Sequence, residues 1–65
     1  MTADRTAARL IGELVRRGWT LATCESITAG GIAALITTVP GSSAAFRGGL
    51  ITYATDLKVS LAGVD

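Results

Sequence analysis

Histidine is absent from this chain, and cysteine, proline, tryptophan, tyrosine and phenylalanine each occur once. Without histidine, a Ser-His-Asp triad, a Cys-His pair, an imidazole proton shuttle and a histidine-containing zinc site are all excluded within these residues. One cysteine cannot close an intramolecular disulfide, the usual staple of a small secreted fold. No apolar run approaches the length that spans a bilayer, and the opening MTADRTAARL is polar and amphipathic rather than a signal peptide. The net charge is only +1, and the six Lys and Arg are scattered apart from the pair Arg16-Arg17, so no electrostatic footprint for nucleic acid forms. Neither G-x-G-x-x-G nor a Gly-Lys-Ser/Thr phosphate loop occurs. These absences predict a cytoplasmic chain without a nucleic-acid or membrane partner.

What is present is apolar. Hydrophobic residues make up 49% of the 65 positions and charged residues 17%, a balance far from that of a disordered segment. A chain of this length makes one domain at most, and a marginal one, so its apolar surfaces are expected to be completed by more chain or by a partner.

Periodicity sets out the elements. Ala7, Leu10, Ile11, Leu14 and Val15 define one face of an amphipathic helix over Asp4 to Arg17, with Thr2 or Asp4 as its cap and Gly18 as its stop. WTLAT, Trp19 to Thr23, reads as a strand. Ile32, Leu35, Ile36 and Val39 repeat at helical spacing, and Pro40 ends that second helix near Thr38. PGSS is a turn, SAAF one short helical turn, and GGLITYA, Gly48 to Ala54, a second strand. Thr55 and Asp56 read as the cap and first turn of a third helix running to Gly63. The order α-β-α-β-α predicts a parallel strand pair, too few strands for the doubly covered sheet such pairs normally join, and hence an incomplete α/β domain.

Three groups of residues carry chemical possibilities. In CESITAGG, Cys24 to Gly31, Ser26 precedes a helix start, where unsatisfied N–H groups and the positive dipole end gather. It reads as a nucleophile whose oxyanion those N–H groups would hold, or else Ser26 or Thr28 is simply an N-cap. Gly30 and Gly31 allow a substrate to approach the backbone, Glu25 reads as a surface carboxylate satisfying the dipole, and Cys24 as a small buried residue. Lys58 falls in the first turn of the third helix, where the dipole disfavours a cation, as a lysine acting as a base requires. Its bland alternative is a solvated surface lysine. Tyr53, at the end of the second strand, lies at the same mouth or merely packs. Ser42, Ser43 and Arg47 surround a turn whose N–H groups would face an anion.

ESITAGG followed by VPGSSAAFRGGLITYATDLKVSLAGVD resembles the C-terminal domain of the competence/damage-inducible protein A (CinA) family, over almost the whole chain. The resemblance implies a three-layer α/β/α domain with a mixed sheet, of which residues 1–65 supply the N-terminal portion. It implies hydrolysis of nicotinamide mononucleotide to nicotinic acid mononucleotide and ammonia in pyridine-nucleotide recycling; the lack of histidine and of any ligand cluster adds the expectation of a site with no cofactor and no metal. The family's motif positions fall on Ser26, Tyr53 and Lys58 as catalytic residues, and Thr28 and Gly30 lie at the implied oxyanion contact. Ser42, Ser43 and Arg47 are assigned to ribose and phosphate. Ala29 departs from the commoner glycine of the motif. Expected partners are the nucleotide, and either further copies of the chain or the rest of the domain. The competing expectation is a non-catalytic nucleotide-binding or oligomerisation module.

Overall fold

The computed structural model describes residues 2–64, with side chains from Arg5 onward. Helix α1 spans Thr2–Arg17, ending where its periodicity predicts and starting two residues before the expected Asp4. The cap expected of Thr2 or Asp4 lies outside the described side chains. Ala7 and Ile11 are buried and Leu14 half-buried, whereas Leu10 and Val15 on the flank of the same stripe stay exposed. The helix closes in a Schellman turn: Trp19 N–H bonds the Leu14 carbonyl at 2.9 Å, Gly18 N–H bonds that of Val15 at 3.2 Å, and Gly18 takes φ +70°. That turn uses up Trp19, whose ring lies under the Arg17 guanidinium at 5.0 Å. Strand β1 therefore runs Leu21–Glu25, two residues later than expected.

Strand β2 covers Phe46–Ile51 and pairs with β1 in parallel, from Leu21 with Phe46 to Glu25 with Ile51. The register slips between Leu21 and Ala22, leaving Arg47 as the extra residue of a bulge. β2 begins two residues before the predicted strand and stops before Tyr53. At Gly49 the strands approach closely: a Cβ there would overlap Thr23 Oγ1 and lie 3.1 Å from the Thr23 carbonyl. The final rung is Thr52 N–H to the Glu25 carbonyl at 2.8 Å, after which β1 turns away.

Helix α2 is Gly31–Thr37 and leads through Pro40 into a 3₁₀ turn at Ser42–Ala44. Helix α3 is Thr55–Ser60 and buries no residue. Its N-cap is Ala54, with no side-chain capping bond, so Thr55 is the first helical residue rather than the cap, while Asp56 lies in the first turn as expected. The chain leaves the helical path after Ser60, and Gly63 at φ +72° donates to the Val59 carbonyl at 3.1 Å.

The core joins Ile11 of α1, Ile36 of α2 and Ala45, flanked by Leu14, Leu21, Val39 and Phe46. The helices α1 and α2 thus line one face of the sheet, the face from which Glu25 reaches α2. On the other face Ala22, Cys24 and Leu50 are exposed. The chain is an α/β unit with one helical layer on a two-stranded parallel sheet. The second layer and the antiparallel strand of a mixed sheet are not among its described elements.

Candidate active site

The carboxyl end of a parallel sheet is where α/β proteins place ligands, because chain reversals there present side chains and N–H groups together. Here that end is built by the turn Ser26–Gly30 after β1 and by Thr52-Tyr53 after β2. In the first turn Ala29 N–H bonds the Ser26 carbonyl at 3.0 Å and Gly31 N–H that of Thr28 at 2.9 Å. Ala29 at φ +51° and Gly30 at φ +93° are both left-handed. Gly30, not Ser26 or Thr28, occupies the N-cap position of α2, and it supplies no side-chain bond. The capping alternative for both residues is therefore corrected. Ser26 is half-buried, and no hydrogen bond among the described residues engages its hydroxyl.

The cap comes from Glu25. Its Oε1 accepts from Ile32 N–H at 2.7 Å and Thr28 Oγ1 at 2.8 Å, and its Oε2 from Ala33 N–H at 3.0 Å and weakly from Thr23 Oγ1 at 3.5 Å. Glu25 is 4% exposed, not the surface carboxylate that its charge predicts. Burial pushes its pKa up, but the bonds from Thr28, Ile32, Ala33 and Thr23 outweigh burial and hold the carboxyl below its ordinary value. Two N–H groups expected to face a substrate are thus already taken. Those of Thr28 and Gly30 carry no intramolecular hydrogen bond among the described residues. Capping-box spacing does not find Glu25, because the carboxylate reaches seven and eight residues ahead from a strand end, across a turn.

Tyr53 stands just beyond β2 and is 70% exposed. Lys58 is half-buried in the last turn of the short α3, not its first, so it stands at the dipole end that favours a cation rather than the one that disfavours it. No hydrogen bond links Ser26, Tyr53 and Lys58 to one another. Ile27, beside Ser26, is 92% exposed, an apolar side chain at the mouth that the sequence pattern did not single out. Cys24, expected to be buried, is exposed on the bare sheet face.

The remaining predicted residues lie elsewhere. Ser42 is buried and Ser43 exposed in the 3₁₀ turn that feeds the amino end of β2, and Arg47 is exposed in the bulge just inside it. At roughly 3.3 Å per residue, strands of this length separate the two ends by about 13 Å. Ser26, Thr28, Gly30 and Tyr53 gather at one end, with Lys58 in the helix that follows; Ser42, Ser43 and Arg47 gather at the other. Among the described residues no three His, Cys, Asp or Glu side chains form a metal-binding group, and no helix is long and apolar enough to cross a membrane.

Residues 3–65 match the family model of the CinA C-terminal domain. The chain belongs to the CinA C-terminal domain family. It is 57% identical over 62 residues to a CinA-like protein of Frankia casuarinae, covering 95% of this chain and 14% of that one. A CinA-like protein of Synechocystis is 51% identical over 63 residues, covering 95% of this chain and 15% of the relative. Among solved structures, the competence/damage inducible protein CihA of Agrobacterium tumefaciens superposes with a TM-score of 0.97 at 35% identity, covering all of this chain and 39% of that one. A CinA superfamily protein of Klebsiella pneumoniae superposes at 0.93 with 28% identity, over 100% of this chain and 41% of its own. The chain spans about a seventh of the length of the curated CinA relatives it matches.

Proposed function

We propose that this chain carries the nucleophile end of an amidohydrolase site that converts nicotinamide mononucleotide to nicotinic acid mononucleotide and ammonia. The observation supporting this reading is the carboxyl end of the sheet. There an unbonded, half-buried Ser26 hydroxyl sits in a left-handed turn, one residue past the rung that joins Glu25 to the strand leading into Tyr53. Ser26 Oγ attacks the carboxamide carbon. Lys58, directly or through Tyr53, accepts the hydroxyl proton and returns it to the departing ammonia. Water then cleaves the acyl-serine, restoring the hydroxyl and releasing the carboxylate. The oxyanion is held by the N–H groups of Thr28 and Gly30, since Glu25 occupies those of Ile32 and Ala33. The chemistry needs only these side chains and water, in the cytoplasm. Ser42, Ser43 and Arg47, at the opposite end of the strands, contact the ribose and phosphate of a nucleotide reaching across the sheet or bound by another subunit.

The second reading is a nucleotide-binding or oligomerisation module without turnover. It is favoured by the lack of any bond among Ser26, Tyr53 and Lys58, and by exposed Leu50, Ile51, Val59 and Leu61, which suit a further copy or the rest of a domain. Ammonia release from nicotinamide mononucleotide by the full-length protein, measured beside calorimetric binding, separates the two. Release supports the hydrolase; binding without ammonia supports the module.

A further inference from the structure

A buried carboxylate is costly unless its lone pairs are filled, and a helix start is capped more simply by Ser, Asp or Asn at the N-cap itself. Here the N-cap is Gly30, and the charge comes instead from the last residue of β1. That residue is the immediate neighbour of Ser26. Its backbone carbonyl is bound to Thr52 of the β2 exit at 2.8 Å, while its side chain binds Thr28 inside the turn and Ile32 and Ala33 beyond it. Glu25 thus holds both sides of the peptide from which the Ser26 side chain projects. The turn between these anchors contains two consecutive left-handed residues, one of them an alanine, a conformation that a free loop does not keep.

We infer that Glu25 is the positioning residue for Ser26: its carboxylate clasps the start of α2 to the end of β1 and so fixes the direction of the Ser26 hydroxyl. The hydroxyl is thus aimed by a carboxylate that itself never touches the substrate. The catalytic consequence rests on the amidohydrolase reading; the clasp does not.

The test is made on the full-length protein. In Glu25→Gln an amide NH₂ replaces one acceptor, so two donors face each other at the helix start. Hydrogen exchange at the Ile32 and Ala33 amides should accelerate at least tenfold while protection in α1 stays unchanged. The kcat for ammonia release should fall at least tenfold with KM within about threefold. Thr28→Val, which removes one donor and leaves the charge, should loosen the same amides to a smaller degree, and it serves if Glu25→Gln does not fold. Wild-type kcat in Glu25→Gln, or activity falling only in step with the folded fraction, would overturn the inference. Should the wild type release no ammonia, the amidohydrolase reading fails by itself. The inference is then decided by NMR order parameters of Ser26 to Ala29, where loosening in the variants supports the clasp and unchanged order overturns it.

Discussion

Gly30 and Ile51 touch across the carboxyl end of the sheet: a Cβ built on Gly30 would lie 2.8 Å from Ile51 Cδ1. Gly30 also holds φ +93°, which L-residues adopt only under strain. Gly30→Ala therefore combines backbone strain with a steric push on a side-chain end that can partly move aside. The expected loss is about 1–2 kcal/mol from the left-handed conformation, read as a lowered thermal midpoint in the full-length protein. An unchanged midpoint would mean that the turn relaxes to a right-handed path in solution.

Glu25 gives a pH dependence whose sign is fixed. Its carboxyl lies below the ordinary 4.5 in the folded chain. The unfolded chain binds the proton more readily, so the stability that Glu25 contributes is complete above the unfolded pKa and disappears as pH falls through the folded one. Melts between neutral pH and acid should steepen for the wild type relative to Glu25→Gln below the ordinary carboxylate range. Glu13 is lowered as well, by Arg16 and then Arg17, but that cluster is exposed and is screened by salt. A difference between wild type and Glu25→Gln that persists in high salt assigns the effect to Glu25; one that vanishes argues against it.

Helical periodicity was the most legible part of this sequence, because one face of a long helix repeats its apolar residues whatever packs against it. The first strand lies two residues later than expected, and the second begins two residues and ends three residues earlier. At the first, the Schellman turn needs Trp19 as well as Gly18, and β propensity at Trp19 says nothing of that. At the second, pairing begins at Phe46, ahead of the expected Gly48, because a bulge absorbs Arg47; Gly49 then lies so near Thr23 that a Cβ there would overlap it. Ser26 and Tyr53 were legible as exits from two strands. The separation of Ser42, Ser43 and Arg47 from them was not, since it depends on which sheet end each loop reaches. The role of Glu25 was hidden for the same reason: its partners lie across a turn whose path only the fold reveals.

Close strand pairing yields a steric prediction at Gly49. Any Cβ there overlaps the Thr23 hydroxyl and presses on the Thr23 carbonyl. Gly49→Ala should destabilise by roughly 1–3 kcal/mol, the range for overpacking a tight site. Thr23→Ala removes the hydroxyl but not the carbonyl, so the double variant should recover only part of the loss. Purely additive losses would show that the strands separate elsewhere.

The sharpest prediction concerns which serine acts. Because Gly30 is the N-cap and Ser26 makes no capping bond, Ser26→Ala removes no interaction that holds α2. Stability should therefore change by less than about 0.5 kcal/mol, as for substitutions away from structural features. If the hydroxyl is the nucleophile, kcat for ammonia release should nevertheless collapse, by up to about 10⁶-fold as for a removed nucleophile in a serine hydrolase, while nucleotide affinity stays close to wild type. Lys58→Met should reproduce that pattern, since a nucleophile and its base act as a unit. Ser43→Ala, at the other end of the strands, should raise KM and leave kcat nearly intact. Steady-state kinetics on the three variants in the full-length protein reads all of this directly. A Ser26→Ala protein that retains its turnover while Ser43→Ala loses it would move the chemistry to the amino end of the sheet, leaving the turn after Glu25 as a helix start and nothing more.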